Sequence, residues 1–303
     1  MSRHSRRRFD DDDPTSTDHL RAYEHRPPSS AGSSGESGKS GAPGDEPDEP
    51  WSTYPDASHG PEPVPDWVIT SPGAIDDDLG VLKSGKEAEV SLLRRSDDCG
   101  GESLLAVKRY RSAEHRLFHR DSGYLEGRRV RRSREMRAMH TRTAFGRDLI
   151  AGQWAAAEFA VLSRLWSAGA AVPYPVQLLG TELMMEFIGN ADGVAAPRLA
   201  QLRPSPAQTR SLLAQLRHAL IVLAEAGYTH GDLSPYNVLV HEGGLVLIDL
   251  PQAVDIVGNP QGFEFLRRDC ANICDWFEAR GIQADARDLY DHLLRAAPGT
   301  TEP

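Results

Sequence analysis

The stretch YTHGDLSPYNVLVHEGGLVLIDLPQAVD, Tyr228 to Asp255, decides how the rest of the chain reads. Two short apolar runs, Asn237 to Val240 and Leu245 to Ile248, flank the spacer His241-Glu242-Gly243-Gly244. The two glycines supply the positive φ angles that a tight reversal needs, so the spacer predicts a β-hairpin. Asp232 and Asn237 lie on the approach to the first strand, and Asp249 follows the second. Folding the hairpin brings these two carboxylates and one carboxamide to the same end. Hard oxygen ligands of that kind suit Mg²⁺ and the phosphates that accompany it.

Asp232 and Asn237 also have the spacing of the phosphoryl-transfer loop H-R-D-x-x-x-x-N. In that loop the Asp takes the hydroxyl proton and the Asn holds a metal, which a second Asp after a short strand also holds. Here His230-Gly231 stands where that loop has His-Arg, and His230 is expected to brace the loop rather than do chemistry.

Upstream, the pattern is strand, tight polar loop, strand, turn, strand. Asp76 to Gly80 leads into Val81-Leu82, then Lys83 to Ala88 forms the loop and Glu89 to Leu93 the next strand. Leu104 to Lys108 is the third strand, with a lysine at its far end. The loop has one glycine, Gly85. Its backbone N–H groups, the Ser84 hydroxyl and the Lys86 ammonium can cradle phosphates. Ala151 to Ala168 reads as a helix ended by Gly169. Glu158 in its middle is either a solvated residue or the partner of Lys108 across the lobe. Two strands follow, ending at Glu186-Phe187, and Ile188-Gly189-Asn190 leaves them as a connector whose backbone, from Glu186 to Ile188, would read an adenine. Ser205-Pro206-Ala207-Gln208 starts a long helix, with Ser as cap, Pro at the first position and Gln three on. Gly227 stops it, and two amphipathic helices, Gln261 to Ala279 and Asp285 to Ala296, follow the hairpin.

The 303 residues suffice for one large or two modest domains. Residues 1–65 are rich in Pro, Gly, Ser, Asp and Glu and poor in aliphatic side chains, which predicts a disordered acidic tail. Residues 66–188 form the first expected lobe and 189–303 the second. No run reaches the roughly eighteen apolar residues of a membrane span, and the first residues lack a secretory core. A cytoplasmic protein without membrane contact is expected. Three cysteines, Cys99, Cys270 and Cys274, make no disulfide framework. The formal charge of −10 conceals a basic stretch: from Lys108 to Arg147 there are 13 Lys or Arg against 4 acids. Within it, 112–148 is either a solvated, flexible insertion or a contact for RNA or another acidic partner.

Together these residues resemble the RIO family of atypical serine/threonine protein kinases, and its first subfamily most. The resemblance rests on SGKEAEV at 84–90, AVKRY at 106–110, Trp154 with Glu158 and Phe159, HGDLSPYNVLV at 230–240, IDLPQAVD at 248–255 and FLRRDCANI at 265–273. It implies an α+β, two-lobed protein-kinase-like fold: an antiparallel-sheet first lobe and a shortened helical second lobe without an activation segment. It implies ATP held with Mg²⁺, or Mn²⁺ in its place. Asp232 would be the catalytic aspartate, and Asn237 and Asp249 metal ligands. Lys108 would hold phosphates and pair with Glu158, while Ser84, Gly85 and Lys86 lie over them. Asp249 is also implied as a transient phosphoacceptor. Asp269 is expected to anchor the catalytic loop through backbone N–H groups. Three functions fit: a kinase acting on protein Ser/Thr, itself included; an ATPase switch in maturation of the small ribosomal subunit; and, less well, a small-molecule phosphotransferase. Pro235 and Leu250-Pro251 depart from the family pattern, and the proline should stiffen the metal loop.

Overall fold

In the computed structural model the chain divides into two units, Met1–Pro47 and Asp48–Pro303. The structure describes residues 51–111 and 144–299, with backbone alone for 144–149, all within the second unit. The expected tail up to residue 50 and the basic stretch from 112 to 143 lie outside the described residues.

The first lobe is a six-stranded antiparallel sheet, ordered β1-β5-β6-β4-β3-β2. Its strands are β1 (Ser58–His59), β2 (Ile75–Ser84), β3 (Ala88–Ser96), β4 (Glu102–Tyr110), β5 (Pro175–Leu179) and β6 (Glu182–Glu186). The ladder β2-β3-β4 runs through consecutive strands, as the alternating sequence predicts. Side chains alternate between faces along a strand, and directly opposed residues share a face. Leu105 and Val107 therefore point to the outer face, where they pack with Tyr54, Val68, Leu93, Tyr174 and Met184. Ala106, Lys108 and Tyr110 point to the inner face.

Two expected boundaries move. Residues 51–65 are ordered, so the low-complexity expectation for 1–65 fails over its last fifteen positions and the lobe begins by Trp51. The reason is packing: this segment covers the outer face of the sheet. Tyr54 is buried there, its ring stacks on His59 with centroids 4.0 Å apart, and Ser58–His59 pairs with β5. Gln177 Nε2 donates to Thr53 Oγ1 at 2.8 Å, and fully buried Arg95 is held by Asp76 at 2.7 Å and by Gln177 at 2.9 Å. Composition alone does not register a few aromatic anchors in a Pro- and Gly-rich segment. The helix expected from Ala151 begins earlier, as α1 (Ala144–Ser167), so the insertion expected over 112–148 ends before Ala144.

The second lobe is built on α2 (Pro206–Glu225), α3 (Gly262–Glu278) and α4 (Ala286–Ala296). α2 starts on the expected capping box, in which Gln208 N–H donates to Ser205 Oγ and Ser205 N–H to Gln208 Oε1. Gly227, at φ 90°, ends it. Two short pairs stand beside these helices, β7 (Tyr228–Thr229) with β10 (Val254–Asp255), and the hairpin β8 (Val238–His241) with β9 (Gly244–Leu247). The hairpin turn is Glu242-Gly243, at φ 50° and 81°. Positive φ at both central residues makes it the primed turn that matches strand twist. The two positive angles fall on Glu242 and Gly243 rather than on Gly243 and Gly244, and Gly244 opens the second strand. Gln215 of α2 clamps the turn, donating to Gly243 O and accepting from Leu245 N–H.

Candidate active site

α1 carries its apolar face at Ala151, Ala155, Leu162 and Leu165, all buried. Glu158 falls in the same stripe, four before Leu162 and three after Ala155, and is 1 % exposed. A carboxylate in such a stripe costs several kcal/mol unless it is paired. It is paired: Lys108 Nζ of β4 lies 2.9 Å from Glu158 Oε1. The Tyr110 hydroxyl donates to the other oxygen, and Leu250 N–H donates to Oε1 at 3.1 Å. The solvated alternative for Glu158 is thereby excluded. One side chain ties the sheet, the helix and the segment after β9 together.

Lys108 Nζ also reaches Asp249 Oδ1, at 2.7 Å. Burial disfavours the charged ammonium, yet Glu158 and Asp249 outweigh that and hold Lys108 above the ordinary lysine range. For Asp249 burial pushes the carboxyl upward, but Lys108, by charge and hydrogen bond, brings it below the usual carboxylate value; Lys83 and His230 add to this. Asp249 sits at φ 65°, left-handed backbone that an aspartate tolerates better than most residues. Its side chain remains 38 % exposed.

The catalytic-loop segment is organised from beneath by Asp269 of α3. Its Oδ2 accepts from Thr229 Oγ1 at 2.7 Å and from Gly231 N–H at 2.7 Å, and its Oδ1 from Leu233 N–H at 2.9 Å. This is the anchoring expected of it. His230 is fully buried and braces the metal segment, its Nε2–H donating to Ile248 O at 3.0 Å. Gly231, at φ 81°, explains the glycine where related loops have arginine: a Cβ there would run into the Gln252 carbonyl. Asn237 Nδ2 donates to the Asp232 carbonyl at 2.9 Å. That bond occupies the amide nitrogen and leaves the oxygen as the atom able to serve a cation. Asn237 Oδ1 and the Asp249 carboxylate are hard oxygen donors of the kind Mg²⁺ prefers.

The glycine loop differs from expectation. Gly85 N–H donates to Ala88 O at 2.9 Å and closes the turn, and Lys86 is exposed at its tip. Ser84, however, opposes Glu89, which opposes Arg109 on the outer face. Its hydroxyl accepts from Arg111 at 2.7 Å, on the side away from Lys108, so it does not lie over phosphates as expected. Strand alternation, which puts Ser84 and Lys83 on opposite faces, is the cause. The residue that reaches the inner face at this end of β2 is Lys83, which motif reading missed and which only the pairing register identifies.

At the other end of the cleft a cavity of about 550 Å³ is lined by Leu79, Leu104, Glu186, Ile188, Gly193 and His241 among others. Glu186 N–H is given to the Tyr174 carbonyl at 2.8 Å, and the Ile188 carbonyl accepts from Ala196 N–H at 2.9 Å. Burial raises the Glu186 carboxyl, against the Tyr174 N–H it accepts and the nearby His241. The structure thus gathers Lys108, Glu158 and Asp249 where the two lobes meet, ties Asn237 to the Asp232 carbonyl in the loop before the hairpin, and puts Glu186 and Ile188 at the cavity.

The chain is similar to known proteins over most of its length. The profile of the RIO1 family, described as the RIO domain, matches residues 98–289. The RIO-type serine/threonine-protein kinase Rio1 of Haloferax volcanii is 37 % identical over 226 residues, 74 % of this chain and 71 % of that protein. Human serine/threonine-protein kinase RIO1 is 32 % identical over 223 residues, which are 73 % of this chain but only 37 % of the human protein. Among solved structures, the Rio2 kinase–ADP/Mg²⁺–phosphoaspartate complex of Chaetomium thermophilum matches with a TM-score of 0.50 and 20 % identity, covering 74 % of this chain and 66 % of that one. That likeness concerns the fold.

Proposed function

This chain belongs to the RIO family, and on that premise we propose that it is an ATP- and Mg²⁺-dependent serine/threonine protein kinase. The observation that carries the reading is Lys108, bonded at once to Glu158 of α1 and to Asp249 after the hairpin. A buried lysine shared by a helix carboxylate and a carboxylate that follows a short strand is the arrangement a phosphate and metal site calls for.

ATP, held with Mg²⁺, supplies the γ-phosphoryl group when bound. Asn237 Oδ1 and Asp249 hold the metal, Lys108 holds phosphate oxygens, and Glu158 keeps Lys108 in place. Asp232 accepts the proton of the incoming Ser or Thr hydroxyl. Gly85 and Lys86 cover the phosphates through the turn, and the backbone of Glu186 to Ile188 meets the adenine. The protein acceptors, a ribosomal or RNA partner engaged through the basic stretch 112–148, and a cytoplasmic location belong to the same proposal. Among the described residues no helix is long and apolar enough to cross a membrane.

The test is a single-turnover reaction with γ-labelled ATP. Acid-stable label on Ser or Thr, abolished in Asp232→Ala and Asp249→Ala variants that melt like the parent, supports the kinase. Hydroxylamine-sensitive label on Asp249 with phosphate release and no label on Ser or Thr would assign an ATPase switch instead. Parent-like turnover in either variant would refute the site.

A further inference from the structure

Resting on that reading, one residue of the inner face has no role yet. Lys83 opposes Val90 on β3, and Val90 opposes Lys108 on β4. Opposed residues share a face, so Lys83 and Lys108 stand in one row across three strands, both toward the cleft. Two strand spacings, roughly 10 Å, separate their backbones. Lysine side chains can close most of that interval on a polyphosphate between them.

β2 shifts register twice, between Asp78 and Gly80 and again between Val81 and Lys83, and the second shift restores this alignment. Val81 opposes Ser91 on the outer face, and strict alternation would then turn Leu82 inward and Lys83 outward. The register shifts between Val81 and Lys83, so that Lys83, not Leu82, opposes Val90. Bulges of this sort re-aim side chains next to active sites. The extra residue, Leu82, is exposed and gains no core contact by it.

Charge points the same way. Lys108 faces two carboxylates, Glu158 and Asp249, so that cluster alone is net negative toward an arriving triphosphate. Two other cations at this end of the sheet are engaged, Arg109 with Glu182 at 2.6 Å and Arg111 with Glu89 at 2.7 Å, and Lys86 stands at the tip of the turn rather than in the row. Lys83 is exposed and makes no ion pair within 4.0 Å among the described residues.

We infer that Lys83 grips the terminal phosphate of the bound nucleoside triphosphate from the sheet side, making the site select triphosphate over diphosphate. It is a substrate-positioning residue, complementary to Lys108, which takes the inner phosphates.

The test is equilibrium binding of Mg²⁺ with a non-hydrolysable ATP analogue, and separately with ADP, to the full chain carrying Lys83, Lys83→Met or Lys83→Arg. The loss of one charge-assisted contact should weaken the triphosphate about tenfold in Lys83→Met. ADP binding should change less than about twofold, Lys83→Arg should recover most of the loss, and the melting temperature should stay at the parent's, because the side chain is exposed. Equal affinity for the analogue in parent and Lys83→Met would overturn the inference, as would equal losses for both nucleotides. If the parent itself bound neither nucleotide, the kinase reading would fall first.

Discussion

Glu158→Ala is the perturbation that interrogates most of the site at once. It removes the acceptor of Lys108 Nζ, of the Tyr110 hydroxyl and of Leu250 N–H. Breaking a buried pair from one side costs about 3–5 kcal/mol, because the remaining charge is left in a dry place. Here Lys108 keeps Asp249 at 2.7 Å, which favours the lower end of that range. For a chain of this size a loss of about 3 kcal/mol lowers the melting temperature by about 6–12 °C. Glu158→Gln keeps an oxygen for Lys108 and Leu250 and an amide toward Tyr110, so its melting should fall by less than half as much. Both variants should lose phosphoryl transfer by more than tenfold, since Lys108 loses the charged partner that holds it from α1 and is left with Asp249 as its one carboxylate. Melting by circular dichroism and turnover of labelled ATP read the two effects separately. An alanine variant that melts within about 1 °C of the parent would refute the reasoning, as would a glutamine variant with parent-like turnover.

Two further outcomes follow from the same geometry. Gly231→Ala puts a Cβ into the Gln252 carbonyl at a left-handed position, and should cost about 2 kcal/mol or more in a denaturant titration; a cost under about 0.5 kcal/mol would mean that the loop shifts freely. Burial pushes the Cys270 thiol up to about 12 and the Cys274 thiol to about 11. Asp98 and Asp97 also hold the Cys99 thiol up, so exposure decides: at pH 8 a thiol reagent should label exposed Cys99 in the native protein and all three cysteines only in denaturant. Rapid native labelling of more than one thiol would contradict the packing of α3.

Much of this protein is legible along the chain because its signals are local. The capping box at Ser205, the stop at Gly227, the glycine-containing reversal before Leu245 and the spacing from Asp232 to Asn237 each depend on residues a few positions apart. Local backbone chemistry alone reads them. The lysine at the end of β4 and the aspartate after β9 were equally visible, as was Asp269 as the anchor of the loop. What lay outside reach of the sequence depended on who faces whom. Whether Glu158 met water or Lys108 was settled by its place in the buried stripe of α1, a consequence of how the helix docks on the sheet. The covering of the outer face by residues 51–65 follows from a few aromatic contacts and one buried arginine, which average composition dilutes. That Lys83 and not Ser84 faces the cleft is recorded in the register of β2, which shifts twice, between Asp78 and Gly80 and between Val81 and Lys83. A strand's side chains alternate with period two, so each inserted residue reverses which neighbour points inward, and only the pairing with β3 records the sum.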